Sequence, residues 1–134
     1  MDTDAELARL AAAFFAAVSF EEGGTPGYDA IGDLFIDAGL LIRNTGDAPE
    51  VTTVEEFIAP RAQLVASGAL TSFYEGELEA VNQSFGTVAH RWCTYEKRGV
   101  QNRAAFEGRG AISTQFVLTP EGWRMSSMAW DDER

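Results

Sequence analysis

One cysteine, one histidine and four prolines in 134 residues rule out several kinds of chemistry from the start. Cys93 has no partner for an intramolecular disulfide, so a reducing compartment is the expectation, and the cytoplasm with it. His90 stands alone, which argues against His-rich metal centres and paired-histidine catalysis. No apolar run approaches the roughly 20 residues of a membrane span. The opening MDTDAELARL lacks the basic start and apolar core of a signal peptide, so no membrane partner is expected. Cations are scarce as well: Lys and Arg number 10 against 21 Asp and Glu, giving a net charge of −11 that repels phosphate backbones and makes nucleic acid a poor partner. No Gly-x-Ser-x-Gly occurs. Gly108-x-Gly110 lies in a strand-like stretch and reads as a bulge or bend rather than a phosphate loop. No metal and no cofactor is expected.

What the chain does have is a change of period. Leu7, Leu10, Ala11, Phe14, Phe15 and Val18 recur at helical spacing, predicting an amphipathic helix from about residue 4 to 20, capped by Thr3 with Glu6 and stopped at Gly23-Gly24. Pro26-Gly27 opens a short second helix with Ile31, Leu34 and Phe35 on its buried side. A brief strand follows Gly39, and TTVEEFIAPRAQLVAS predicts another helix, with Thr53 and Glu56 at its cap and Pro60 as a kink or restart. From about residue 70 onward, aromatic and β-branched residues separated by glycines predict long antiparallel strands. Helices first and strands later make an α+β class, a single domain over residues 1–134, with a curved antiparallel sheet covered on one face by helices.

Alternation then sorts the strands into faces. Glu75, Glu77 and Glu79 share one face and are expected outside, paired with Arg91 and Lys97; Tyr74 and Leu78 take the other. Ile112, Thr114, Phe116 and Leu118 are expected to meet the helices. His90 would travel with Val88, Trp92 and Thr94 on the helix-facing side, and Cys93 with Arg91 and Tyr95 on the opposite one. A Cys-His couple needs contact within about 3.2 Å. Opposite faces of one strand forbid it, which leaves Cys93 as a small buried apolar residue. Whether Trp123 and Trp130 share a face depends on a bulge at Ser126-Ser127, which the alternation leaves open.

The segments DLFIDAG, FGTVAHRWCTYEKRG and GAISTQFVLTPEGWRMSSMAW, with the closing DDE, occur in an order that resembles the NTF2-like superfamily and, within it, the SnoaL-like group. The resemblance covers nearly the whole chain. It implies a cone: a bent sheet wrapped around the long N-terminal helix, an apolar cavity at the open end, and a homodimer packed through the outer sheet face. It does not carry ketosteroid-isomerase chemistry across. The positions matching that enzyme's tyrosine, base and second acid fall near Phe14, Arg43 and Thr114, none of which does the original work. A scytalone-dehydratase type of site needs two histidines.

The expected function is therefore binding of a small apolar or aromatic molecule in the cone. Phe14 and Phe15 from the first helix, Phe35 from the second, and Trp92, Ile112, Phe116 and Trp130 from the strands form the expected wall. His90, Tyr74, Thr94 and Thr114 are its expected polar groups. The alternatives are an isomerase, cyclase or dehydratase type of enzyme using His90 for proton transfer, or a non-catalytic dimerisation module working through Glu75, Glu77, Arg91 and Gln115.

Overall fold

The computed structural model describes residues 2–134. Helix α1 spans Thr3–Val18, one residue earlier than the capping box predicts. Its cap is Asp2, whose carboxylate accepts from the Ala5 N–H at 3.3 Å. The helix also stops short of Gly23-Gly24. Ser19 turns extended, its hydroxyl donates to the Phe15 carbonyl at 2.7 Å and accepts from the Glu75 N–H at 3.1 Å, and Phe20 bridges to Phe73. Docking onto the sheet, rather than glycine, ends the helix.

The expected second helix is two single 3-10 turns, Tyr28–Ala30 and Gly32–Leu34, with Ile31 and Leu34 buried and Phe35 buried beside them. Strand β1, Phe35–Arg43, begins before Gly39, and β2, Glu50–Thr53, pairs antiparallel with it. Helix α2, Val54–Ala66, carries the predicted capping box: Glu56 N–H donates to the Thr53 hydroxyl at 3.2 Å, and Thr53 N–H donates to the Glu56 carboxylate at 3.0 Å. Pro60 sits within it. Four long strands complete the chain: β3, Leu70–Phe85; β4, Val88–Gln101; β5, Ala104–Thr119; and β6, Gly122–Asp132.

The six strands form one sheet in the order β2-β1-β6-β5-β4-β3, with β1 parallel to β6 and the other neighbours antiparallel. Register shifts fall between Glu77 and Glu79 in β3 and beside Phe116 in β5, where β6 carries an extra residue at Ser126. Bulges of this kind sharpen the local twist and bend the sheet. The one in β6 also settles the open question of the tryptophans. Trp123, Met125 and Met128 are all buried, and Trp130 packs against the same core.

The α+β cone is the expected one. Its concave face wraps α1 so closely that Leu7, Leu10, Ala11, Phe14, Phe15, Ala17 and Val18 are all buried. On β5 the predicted face is right for Ile112, Thr114 and Phe116, which point inward, while Leu118 at the end of the strand is 44% exposed. On β4 and on β3 as far as Glu77 the face is inverted; past the shift, Glu79 opposes Thr94 on the convex side, where it was expected. Ala89, Arg91, Cys93 and Tyr95 are buried, whereas Val88 and Trp92 are 56% and 55% exposed. The register fits only this face: Cys93 opposes Ile112, and Ala89 opposes Phe116.

Gly108-x-Gly110 is no bulge, because β4 and β5 pair through it without a shift. Gly110 lies opposite Tyr95, and a methyl group there would collide with the Tyr95 hydroxyl and the Asp131 carbonyl. Gly110→Ala is accordingly expected to lower stability by about 1–3 kcal/mol, as overpacking of a full site does. A urea melt measures this, and an unchanged midpoint would show that the Tyr95 ring and the β6 backbone at Asp131 both give way freely.

A candidate ligand cavity at the open end of the cone

A cavity of about 590 Å³ opens between α1, α2 and the concave face of the sheet. Phe14 and Val18 form its floor, Phe57 and Leu64 of α2 one side, and Ile112, Met128 and Trp130 the sheet side. Phe57 stands edge to face with Trp130, 5.9 Å away at 88°, and tilted against Phe14 at 6.1 Å and 44°. Three expected wall residues, Phe14, Ile112 and Trp130, are thus brought together.

The other expected site residues lie elsewhere. Phe35, Thr114 and Phe116 are buried in the core, away from the cavity wall. Trp92, Thr94 and Tyr74 stand on the convex face; Tyr74 is 40% exposed, with the Arg98 guanidinium 4.2 Å above its ring. His90 is on the same convex face, opposite Gln83 on one side and Gln115 on the other, and does not reach the cavity. His90 and Cys93 do fall on opposite faces. Cys93 is buried, and burial pushes its thiol up to about 12, so it is no nucleophile.

The inversion carries charged residues inward. Arg91, expected outside, is 8% exposed and forms a two-point ion pair with Glu77 at 3.0 and 2.5 Å, its third nitrogen donating to Asn82. Nearer the mouth, Lys97 donates to Asp132 at 2.6 Å. Asp132 also accepts the Tyr95 hydroxyl, and burial with that carboxylate raises the phenol. The closing DDE is therefore part of the wall through Asp132. On the far side Arg43 pairs with Glu50 at 3.4 Å and donates to Thr45.

Two charged groups on the cavity wall remain without an ion partner among the described residues. Arg61 lies with its guanidinium carbon 3.7 Å from the Phe57 ring centroid and donates once, to the Phe57 carbonyl at 2.9 Å. Burial lowers its pKa, with Tyr28 and Glu50 acting against that. Glu75 sits opposite Lys97 in the β3–β4 register, yet Lys97 is taken by Asp132. The Glu75 carboxylate accepts no hydrogen bond from the described residues, and burial raises it to about 7 despite the attraction of Lys97. Among the described residues no group of three His, Cys, Asp or Glu is placed to hold a metal ion, and no helix is long and apolar enough to cross a membrane.

Glu75 and Lys97 were missed because β3 and β4 were read with the wrong face inward, whereas Arg61 on α2 and Asp132 on β6 reach the cavity only through the packing of distant elements. A usable signal was present in Cys93, since cysteine is among the most buried residue types. Its face, shared with Tyr95 and Lys97, is the one that meets the helix.

No family model and no curated protein sequence matches this chain. Solved structures do resemble it. An NTF2-like protein of unknown function from Prochlorococcus sp. NATL2A superposes with a TM-score of 0.78 at 14% identity, covering 100% of this chain and 95% of that one. An NTF2-like protein from Cytophaga hutchinsonii gives 0.75 at 13% identity, covering 99% and 100%. An NTF2-like protein with a cystatin-like fold from Novosphingobium aromaticivorans gives 0.72 at 18% identity, covering 96% and 80%. The fold is NTF2-like; identities this low carry the fold and nothing of the activity.

The displaced titration of Glu75 has a consequence for stability. Between the ordinary value of 4.5 and about 7, the folded protein keeps a proton that the unfolded chain has released, so this group's contribution falls as pH rises through that window. Above it the cost of the buried charge is complete, roughly 3 kcal/mol. Glu75→Gln is expected to be close to wild type at low pH and progressively more stable than wild type toward pH 7 and above. Denaturant melts of both proteins across the range check this; a constant gap would place Glu75 in water.

Proposed function

We propose that this domain binds a small, mostly apolar or aromatic molecule in the cone cavity. The observation that carries the reading is the cavity itself: about 590 Å³, walled by Phe14, Phe57, Leu64, Ile112 and Trp130, with a few polar groups at its mouth. Volume and lining match the general form of small-molecule sites, in which apolar walls supply affinity and sparse polar groups set orientation. A second reading, proton-transfer catalysis in the same cavity, is favoured by one feature. Glu75, raised to about 7, is suited to take and return a proton near neutral pH, a role His90 cannot fill from the convex face.

Titration with small aromatic and polycyclic carboxylates and ketones tests the binding reading, followed by tryptophan emission in a Trp92→Phe background that removes the exposed indole. Saturable quenching through Trp130 is expected. Leu64→Trp, which fills the cavity from its half-buried rim, should weaken binding at least tenfold. Equal affinity in that variant would move the ligand elsewhere.

The convex face supports a homodimer. Val81 is 65% exposed and Phe85 86%, and they pair in register with the exposed Trp92 and Val88. Four large apolar side chains on neighbouring strands form the kind of patch that a second copy covers. Glu75, Glu77 and Arg91, expected to make that interface, face the concave side instead; of the four residues named for it only Gln115 lies on the convex face. Trp92→Glu combined with Val81→Glu is expected to turn a dimer into a monomer in sedimentation velocity, leaving the cavity unaltered. A wild-type protein that sediments as a monomer at high concentration would defeat this part of the reading.

A further inference from the structure

We infer that the cavity takes a small carboxylic acid with an apolar body, its carboxylate held by Arg61 and sharing a proton with Glu75. This rests on the cavity being a ligand site and names the chemistry of its occupant. The argument is one of charge. Of the ionic groups on the wall, Arg43 is paired with Glu50 and Lys97 with Asp132. Arg61 and Glu75 are left over, both reaching the same cavity and sensing each other's charge without forming an ion pair. A guanidinium has five N–H donors in a planar fork that matches a carboxylate, and Arg61 spends one of them on the Phe57 carbonyl. Its face lies on the Phe57 ring, which holds the fork steady within an apolar wall.

An anion placed beside Arg61 also comes under the influence of Glu75, and two carboxylates in one recess cannot both stay charged at little cost. One proton between them removes the repulsion and supplies a hydrogen bond from acid to carboxylate. The groups around Glu75 do not provide that proton's alternative. Lys97 is held by Asp132 on β6, Tyr95 donates to the same Asp132, and Cys93 is buried and protonated. Glu77, two residues along the strand, is bound to Arg91. Arg61 on α2 is the remaining cation facing Glu75. With its own carboxyl half-neutralised near pH 7, Glu75 is ready to take up the proton as the ligand binds.

Calorimetric titration of the full chain with naphthoate, naphthalenemethanol and naphthylmethylamine separates the possibilities, because the three share one apolar body and differ in head group. Naphthoate is expected to bind at least tenfold tighter than the alcohol at about pH 6, and to lose about tenfold in affinity for each pH unit above about 7. Measured in buffers of different ionisation enthalpy, naphthoate binding should take up close to one proton at about pH 8. Arg61→Met should abolish the preference for naphthoate while leaving the alcohol's affinity within a fewfold. Glu75→Gln should flatten the pH dependence and the proton uptake. Preference for the amine, or a naphthoate preference that survives Arg61→Met, overturns the inference while the cavity reading stands. If none of the three probes binds, both fall together; if the alcohol binds as well as naphthoate, only this one does.

Discussion

The odd-numbered residues of β4 lie beneath α1, and because side chains alternate along a strand, that one assignment places most of what surrounds the cavity. It brings Ala89, Arg91, Cys93 and Tyr95 into the interior and sends Val88, His90 and Trp92 to the convex side. The registers with β3 and β5 then carry Glu75, Glu77, Gly110 and Ile112 to the concave face as direct neighbours. A slip of one residue would exchange the two sets. It would expose the thiol and the phenol and bury a histidine and a tryptophan in a space already filled by Phe14 and Phe15.

Once this face is inside, the cone has to accommodate charged residues on its inner wall, and it pairs four of them at different depths. Arg91 and Glu77 satisfy one another beside α1, with Asn82 accepting the remaining guanidinium nitrogen. Toward the mouth, Asp132 draws both Lys97 and Tyr95, linking β4 to β6 across Gly110, whose missing side chain leaves room for the Tyr95 hydroxyl. This second arrangement leaves Glu75 without the cation opposite it in register. The charge of Glu75 is thus made expensive by the satisfaction of its neighbours, and burial then raises its titration. Cavity shape and cavity electrostatics have the same origin.

The two faces of the sheet contrast in what they offer. Inside, aromatic and aliphatic side chains enclose a space with an unpaired guanidinium and an unpaired carboxyl at its rim. Outside, Val81, Phe85, Val88 and Trp92 form an apolar strip on β3 and β4, an unusual expense of apolar area for a chain whose net charge is −11. A sheet that is apolar on both sides explains why alternation misled: the usual rule that the apolar set faces the core has no unique solution when both sets are apolar in part.

Elements governed by local chemistry were legible from the residues alone. The i, i+3, i+4 spacing of α1, the Thr53–Glu56 capping box of α2 and the four long strands all follow from interactions within a few residues, which any fold containing those segments would preserve. The resemblance of segment order was enough for the cone. Three of the expected wall residues, Phe14, Ile112 and Trp130, came from elements of this kind. What required the folded chain was every relation between distant segments. The inward face of β4 is decided by its pairing with β5 and by the space under α1, the end of α1 by the contact of Ser19 with Glu75, and the pairing of Lys97 with Asp132 by strands 35 residues apart. The bulge at Ser126, which turns Trp123 and Trp130 to one side, was only one of two patterns the sequence allowed. Local periodicity determines which residues share a face, but which face is buried depends on what the rest of the chain brings against it.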